Sequence, residues 1–390
     1  MKIGLALSGG GFRATGFHLG VLARLADEAA FEKMAFLSTV SGGSMCIGLI
    51  HAMNDFCWPT SREFIDKILP KARDVITTHD LQSALIRRIL WSPLNILSTR
   101  ADDLSKLLKR HWDIAITLRD LPEQPRWMIN ATCYETGKNW RFERFRMGDY
   151  SFGYTYNTNI PLSDALAASA GFPGLIGPLV LKTHPHSWFK YVDEGMKELT
   201  DPEFHVERKT KSIDPMYPKL HLWDGGVYDN LGLEGLHNFI GGWRDDIDFL
   251  IVSDASGRPE PEKYHWWKAP LRIITGVMMD QVRSLRSRAV AERLINHPSE
   301  DRGSLLQIGN TCEYTLTDAG REAEISKVCT GCLGKHEADF AANMKTKISR
   351  LSEKDYQLLF RHGYEVADYT LYAYNADVFK YKGYMHSRWT

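Results

Sequence analysis

The sequence carries no net charge: among its 390 residues, 48 basic side chains are matched by 48 acidic ones. Without a surplus of either sign there is no global field to gather a nucleic acid or an anionic bilayer. Nucleic acid is therefore not expected as a partner, and any meeting with a membrane surface would be transient and local. Long apolar runs are missing as well. Stretches such as "MCIGLI" (45–50) fall far short of the roughly 20 residues that cross a bilayer, so no spanning helix is expected. Met1-Lys2 leads directly into the strand-like Ile3, Leu5 and Leu7, leaving no room for the charged and apolar regions of a secretory leader. Cysteine is scarce, with six at 46, 57, 133, 312, 329 and 332, which reads as reduced thiols and not as a disulfide framework. These absences predict a cytoplasmic protein, with peripheral membrane contact as the alternative.

What is present is the patterning of an ordinary folded chain. Aromatic residues are plentiful (11 Trp, 16 Tyr, 17 Phe), which suits a core first and an apolar ligand pocket second. Apolar periodicity predicts strands at 2–8, 35–40, 127–135, 139–145, 220–224 and 248–254, with helices at 12–30 and 44–56. A β-α-β-α opening followed by further strands and helices favours an α/β layered sheet. One domain over 1–390 is expected, with a helical insertion at about 58–122 and a helical closure at about 335–390. Within the insertion, "LIRRILWSPLNIL" (85–97) sets Arg87 and Arg88 among apolar residues. It reads as a helix pair on the sheet, with a cap over a pocket or an interfacial patch as the alternative. Residues 183–219, rich in Pro, Lys, His and Asp, read as a surface excursion. In "YHWWKAPLRII" (264–274) the paired Trp could touch lipid, but buried packing is expected.

The most informative stretch is "LALSGGGFRATGFHLG" (5–20), three glycines between a predicted strand and a predicted helix. A helix start with free N–H groups suits any anion. A dinucleotide site would fit Gly9, Gly11 and Ala14, but it needs an acid at the end of the second strand, and that strand ends in Val40-Ser41-Gly42-Gly43. A P-loop needs Lys and Ser or Thr after the last glycine, where Phe17-His18 stands. The remaining occupant is the oxygen of a reacting carbonyl.

"STVSGGS" supplies a nucleophile for it. Ser41 lies on a strand-to-helix turn with Gly43 two residues on, although Thr39 replaces the first glycine of the usual G-x-S-x-G spacing. Ser44 is followed by Cys46 where a small residue belongs, and Ser38 lies within the strand. Adjacent parallel strands would bring both loops to one sheet edge, so that the amides of Gly10, Gly11 and Gly42 surround an oxyanion made at Ser41. Among 14 histidines none sits in a distinctive turn. A carboxylate is the next candidate for the base, and Asp224 in "WDGGVYDN" leads Asp254, Asp193 and Asp229 on position.

Four segments together resemble the patatin-like phospholipases of bacterial type, whose core is similar to that of the cytosolic phospholipases. These are "SGGGFRATG", "TVSGGS", "WDGGVYDN" and "ALAASAGFPGLIGPL" (165–179), in matching order across residues 3–230. The resemblance implies a three-layer sandwich with a central, mostly parallel sheet flanked by helices. It implies a Ser41–Asp224 dyad without histidine, an acyl-enzyme on Ser41, and hydrolysis of phospholipid or other fatty acyl esters with no cofactor. It also implies an oxyanion hole of Gly9, Gly10, Gly11 and Gly42, with Arg13 near a lipid phosphate or pinning the loop. A thioesterase or general esterase would use the same dyad, and a non-catalytic lipid-binding or regulatory module is the alternative from another class. Cys312, Cys329, Cys332 and His336 have zinc-ligand spacing, but one C-x-x-C without a second pair predicts no metal.

Overall fold

A computed structural model of the chain describes residues 1–91, 100–184, 186–192, 210–238, 242–244, 246–257 and 261–389. Strand β1 (Ile3–Leu7) leads through the glycine loop into helix α1 (Gly11–Ala26), and β2 (Met34–Val40) leads through Ser41 into α2 (Gly42–Ala52). The strand Arg126–Cys133 is β3. Five strands run parallel, in the order Gly303–Gln307, Phe249–Asp254, β1, β2, β3. Beyond β3 the sheet turns antiparallel, through Lys138–Phe142 and on to Trp188–Tyr191 and Thr210–Ile213.

Period-two alternation sends side chains to both faces of the parallel half, and each face is covered. Leu5, Leu7, Leu37 and Ile251 pack with α1 and α2 in the larger core. Ala6, Phe36, Met128 and Val252 pack with Leu231, Leu233 and Val290 in the smaller one. The result is helix, sheet, helix, the three-layer α/β arrangement with its parallel strands at the centre.

Helix α1 is buried along its whole length because a second helix, Glu353–Tyr374, lies over it. The two backbones touch. A Cβ on Gly20 would stand 1.9 Å from the Phe360 carbonyl oxygen, and one on Gly363 would stand 2.0 Å from that of Phe17. Arg24 Nε and Asp368 Oδ1, 2.5 Å apart and both buried, close the same interface.

β3 is longer than its neighbour. Its residues Arg126–Asn130 pair with β2, and Ala131–Cys133 then pair antiparallel with the strand Lys219–Asp224 on the same flank. Val40 stands opposite Asn130 and Asp224 opposite Ala131, so the two strands meet end to end. Their carboxyl ends abut at one point of the sheet edge.

The helices within 58–122 pack on this frame. Leu104, Leu107, Leu108 and Trp112 are buried, and Ser105 Oγ donates to Ser163 Oγ at 2.9 Å. The latter half of "LIRRILWSPLNIL" (92–97) lies outside the described residues, as do 185 and 193–209 within the expected excursion. Two expectations are corrected. Residues 183–219 hold two strands of the sheet, with Trp188 buried against Trp140 and Phe152, because a short edge strand needs only one or two large side chains to anchor it. Trp266 and Trp267 are exposed and not buried.

Candidate active site

Ser41 has φ 49° and ψ −113°, a conformation that a residue with a Cβ rarely adopts. The following glycines permit the turn. A Cβ on Gly42 would lie 2.4 Å from the Gly11 carbonyl oxygen, and one on Gly43 2.4 Å from that of Leu7. A run of hydroxyls holds the strained residue. The Ser41 N–H donates to Ser169 Oγ (3.0 Å), which is 2.8 Å from Ser44 Oγ. Ser44 Oγ is in turn 2.8 Å from Thr39 Oγ1, and Trp127 Nε1 donates to Thr39 Oγ1 at 2.9 Å. The threonine that breaks the usual glycine spacing is thus a hydrogen-bonding member of the turn. Sequence reasoning missed this chain, although Ser169 lies in the quoted 165–179 segment.

Asp224 is brought to Ser41 by the end-to-end strands. Its N–H donates to the Gly171 carbonyl (3.1 Å), the Gly225 N–H to that of Ser169 (3.3 Å), and Thr132 Oγ1 donates to the Asp224 carbonyl (2.8 Å). Oδ1 accepts from the Gly226 N–H at 2.7 Å. Burial pushes the carboxyl up to about 7, while the hydrogen bonds from Gly226 and the Ser41 side chain work in the other direction. The rival acids are engaged elsewhere. Asp254 pairs with Arg283 (2.9 Å), and Asp229 accepts from the N–H groups of Leu231 and Glu234 and faces Arg286. Asp193 lies outside the described residues. No histidine is a hydrogen-bond partner of Ser41 or Asp224 among the described residues.

The glycine loop needs its residue type where φ reaches 141° at Gly10 and 59° at Gly11. The N–H groups of Gly10, Gly11 and Gly42 donate to nothing among the described residues. They lie together: the position of a Cβ on Gly42 is 2.8 Å from Gly11 N. Gly9 differs from the expectation, because its N–H is donated to the Asn230 carbonyl at 3.0 Å. What Gly9 supplies is room, since a Cβ there would lie 2.4 Å from Asn230 Oδ1 and 3.1 Å from Ser41 Cβ. Asn230, a residue of "WDGGVYDN" that the sequence did not single out, therefore links the two loops.

Arg13 is buried. Its Nε donates to the Ala255 carbonyl (3.2 Å) and its Nη1 to that of Met344 (2.5 Å), so it holds neighbouring chain segments against the start of α1. Burial lowers its pKa to about 10, partly offset by Asp254. Beneath the loop, buried His18 is pushed down to about 4, chiefly by desolvation, and bridges Ser253 Oγ and the Ser8 carbonyl as the neutral ring. The Cys312 thiol interacts with those of Cys329 and Cys332. No group of three or more His, Cys, Asp or Glu side chains among the described residues has the geometry to hold a metal.

Among the described residues, a strained serine, a buried carboxyl with no cation beside it and amides with no partner thus come together at two helix starts. The family model for patatin-like phospholipase matches residues 5–237, more than half of the chain. The chain belongs to the patatin-like phospholipase family. Among solved structures it is similar in fold to human GIVD cytosolic phospholipase A2, with a TM-score of 0.50 and 14% identity, over 97% of this chain and 59% of that one. The same human protein bound to methyl gamma-linolenyl fluorophosphonate and terbium chloride matches with a TM-score of 0.48 and 12% identity, over the same shares. This chain thus spans about three fifths of that neighbour's length. No curated protein sequence matches it.

Proposed function

We propose that the chain hydrolyses fatty acyl esters of phospholipid or lysophospholipid through an acyl-enzyme on Ser41. Asp224 takes the proton of the Ser41 hydroxyl as Oγ bonds to the ester carbonyl carbon. The carbonyl oxygen becomes an anion facing the amides of Gly10, Gly11 and Gly42, each such donor being worth about 2.7 to 4 kcal/mol in comparable sites. Collapse breaks the bond to the alcohol, which leaves with the proton from Asp224. Water then repeats the sequence: Asp224 takes its proton, hydroxide adds to the acyl carbon, and Ser41 leaves with that proton as the fatty acid departs.

The observation that carries this reading is the juxtaposition of the ends of β2 and the Lys219–Asp224 strand, which puts a buried carboxyl beside a strained serine. A base whose pKa lies near 7 is well matched to neutral pH. No helix among the described residues is long and apolar enough to cross a membrane.

The test is labelling by a fluorophosphonate together with turnover of defined phospholipid, acyl thioester and short nitrophenyl ester substrates, with Ser41→Ala as control. Labelling at Ser41 and phospholipid turnover that vanishes in the variant are expected. Thioester preference would favour the thioesterase reading, and an unlabelled, inactive protein would make it a lipid-binding module.

A further inference from the structure

We infer that residues 261–279 form a docking surface for the face of a phospholipid bilayer, and that this surface sets the candidate active site against its substrate. Tyr264, Trp266, Trp267, Ile273, Val277 and Met278 are all exposed, Trp266 by 76% and Trp267 by 61%. Large apolar side chains scattered singly over a surface need no explanation, but a run of them within fifteen residues does. The burial pattern excludes a simple packing role. Nearly every residue from 261 to 274 is exposed, so the segment projects on several sides and does not offer one stripe to a groove.

The chemistry of the segment fits the boundary between headgroups and acyl chains. Trp and Tyr are the residues that settle at that depth, with a polar edge toward water. Lys268 Nζ lies 4.8 Å from the Trp267 ring, in the posture of a side chain reaching back toward the headgroups. Glu262 takes Arg272 Nη1 at 2.7 Å and lies 3.9 Å from Lys268 Nζ, so the one carboxylate of residues 261–279 stands among Lys263, Lys268 and Arg272. Adsorption by such a segment draws on its exposed apolar area.

Position is the second line of support. The segment runs into the helix Met279–Asn296, and Met279 Cε is 3.1 Å from where a Cβ on Gly226 would be. Gly226 is the residue whose N–H holds Asp224. Leu271 meets Gly174 in the loop whose Gly171 carbonyl accepts the Asp224 N–H. The exposed apolar side chains are thus continuous with both supports of the candidate base. The purpose assigned to the surface rests on the acyl-hydrolase reading, while its lipid binding can be measured without turnover.

The experiment compares wild type with Trp266→Ser/Trp267→Ser/Ile273→Ser, all at exposed positions outside the site. Partition onto phosphatidylcholine vesicles is read by sedimentation, and hydrolysis of a water-soluble nitrophenyl ester by absorbance. The variant should partition about tenfold or more weakly, given the apolar area removed, with soluble-ester turnover unchanged. Wild-type Trp emission should also be quenched by acyl-brominated phosphatidylcholine. The inference is overturned if wild type fails to partition, if the variant partitions equally, or if the substitutions dissociate a dimer while vesicles remain unbound. Loss of soluble-ester turnover in wild type would refute the acyl-hydrolase reading alone, since partition is scored separately.

Discussion

Asp224→Asn should make the protein more stable and inactive at once. Burial raises the folded-state pKa of Asp224 from 3.8 to about 7. The sign follows from where the proton is held: between those values the folded chain binds a proton that the unfolded chain has released. The associated stability is therefore complete below about pH 3.8 and is lost as the pH rises through about 7. Above neutrality the buried carboxylate costs the fold about 4 kcal/mol, an upper figure obtained from the pKa difference at 1.36 kcal/mol per pH unit. Asn keeps an oxygen for the Gly226 N–H and carries no charge, so it escapes this penalty. Denaturant unfolding of both proteins at pH 5 and pH 8 should show the variant's advantage growing by about 2 to 3 kcal/mol between the two. Ester turnover, measured in parallel, should fall about 100-fold or more with the base removed. A stability difference that does not change with pH would refute the account of a carboxyl strained by desolvation, whatever the activity does.

The same ionisation should appear in the kinetics, with kcat/KM rising about tenfold per pH unit up to about pH 7 and then levelling, and a profile flat from pH 5 to 8 would contradict Asp224 as base. Ser169→Ala leaves the part-buried Ser41 N–H without its acceptor, and should cost about 1 kcal/mol in chemical unfolding while lowering kcat more than it raises KM. Gly20→Ala forces a methyl to within 1.9 Å of the Phe360 carbonyl oxygen, and a loss of about 1 to 3 kcal/mol or more is expected by thermal unfolding, despite the better helix propensity of alanine.

The parallel core could be read from the chain because its strands are short buried runs bounded by small residues, and "AFLSTVSGGS" announces both the strand and the turn that ends it. The loop after β1 was legible for the same reason: glycine is required where φ is positive, as at Gly10 and Gly11. What stayed hidden depends on partners far away in the chain. Nothing local to "LHLWD" says that it pairs with the last three residues of β3, which is what brings Asp224 to Ser41. The capture of the Gly9 amide by Asn230 and the path from Trp127 through Thr39 and Ser44 to Ser169 are likewise products of assembly. Tryptophan next to tryptophan reads as core by composition, and only the placement of 264–279 beyond the sheet shows otherwise.

The backbone contact at Gly20 and Gly363 also imposes an order on biosynthesis. The first helix carries the glycine loop at its start, yet what covers that helix is encoded near the far end of the chain, and Met344 and Lys347 supply carbonyls to Arg13 and Phe12. A nascent polypeptide that has exposed its serine and its acid to the ribosome's surroundings still lacks the element that seats the loop between them. The proposed lipid-cleaving competence should therefore arrive only with the helix Glu353–Tyr374, and products terminated before it should be silent.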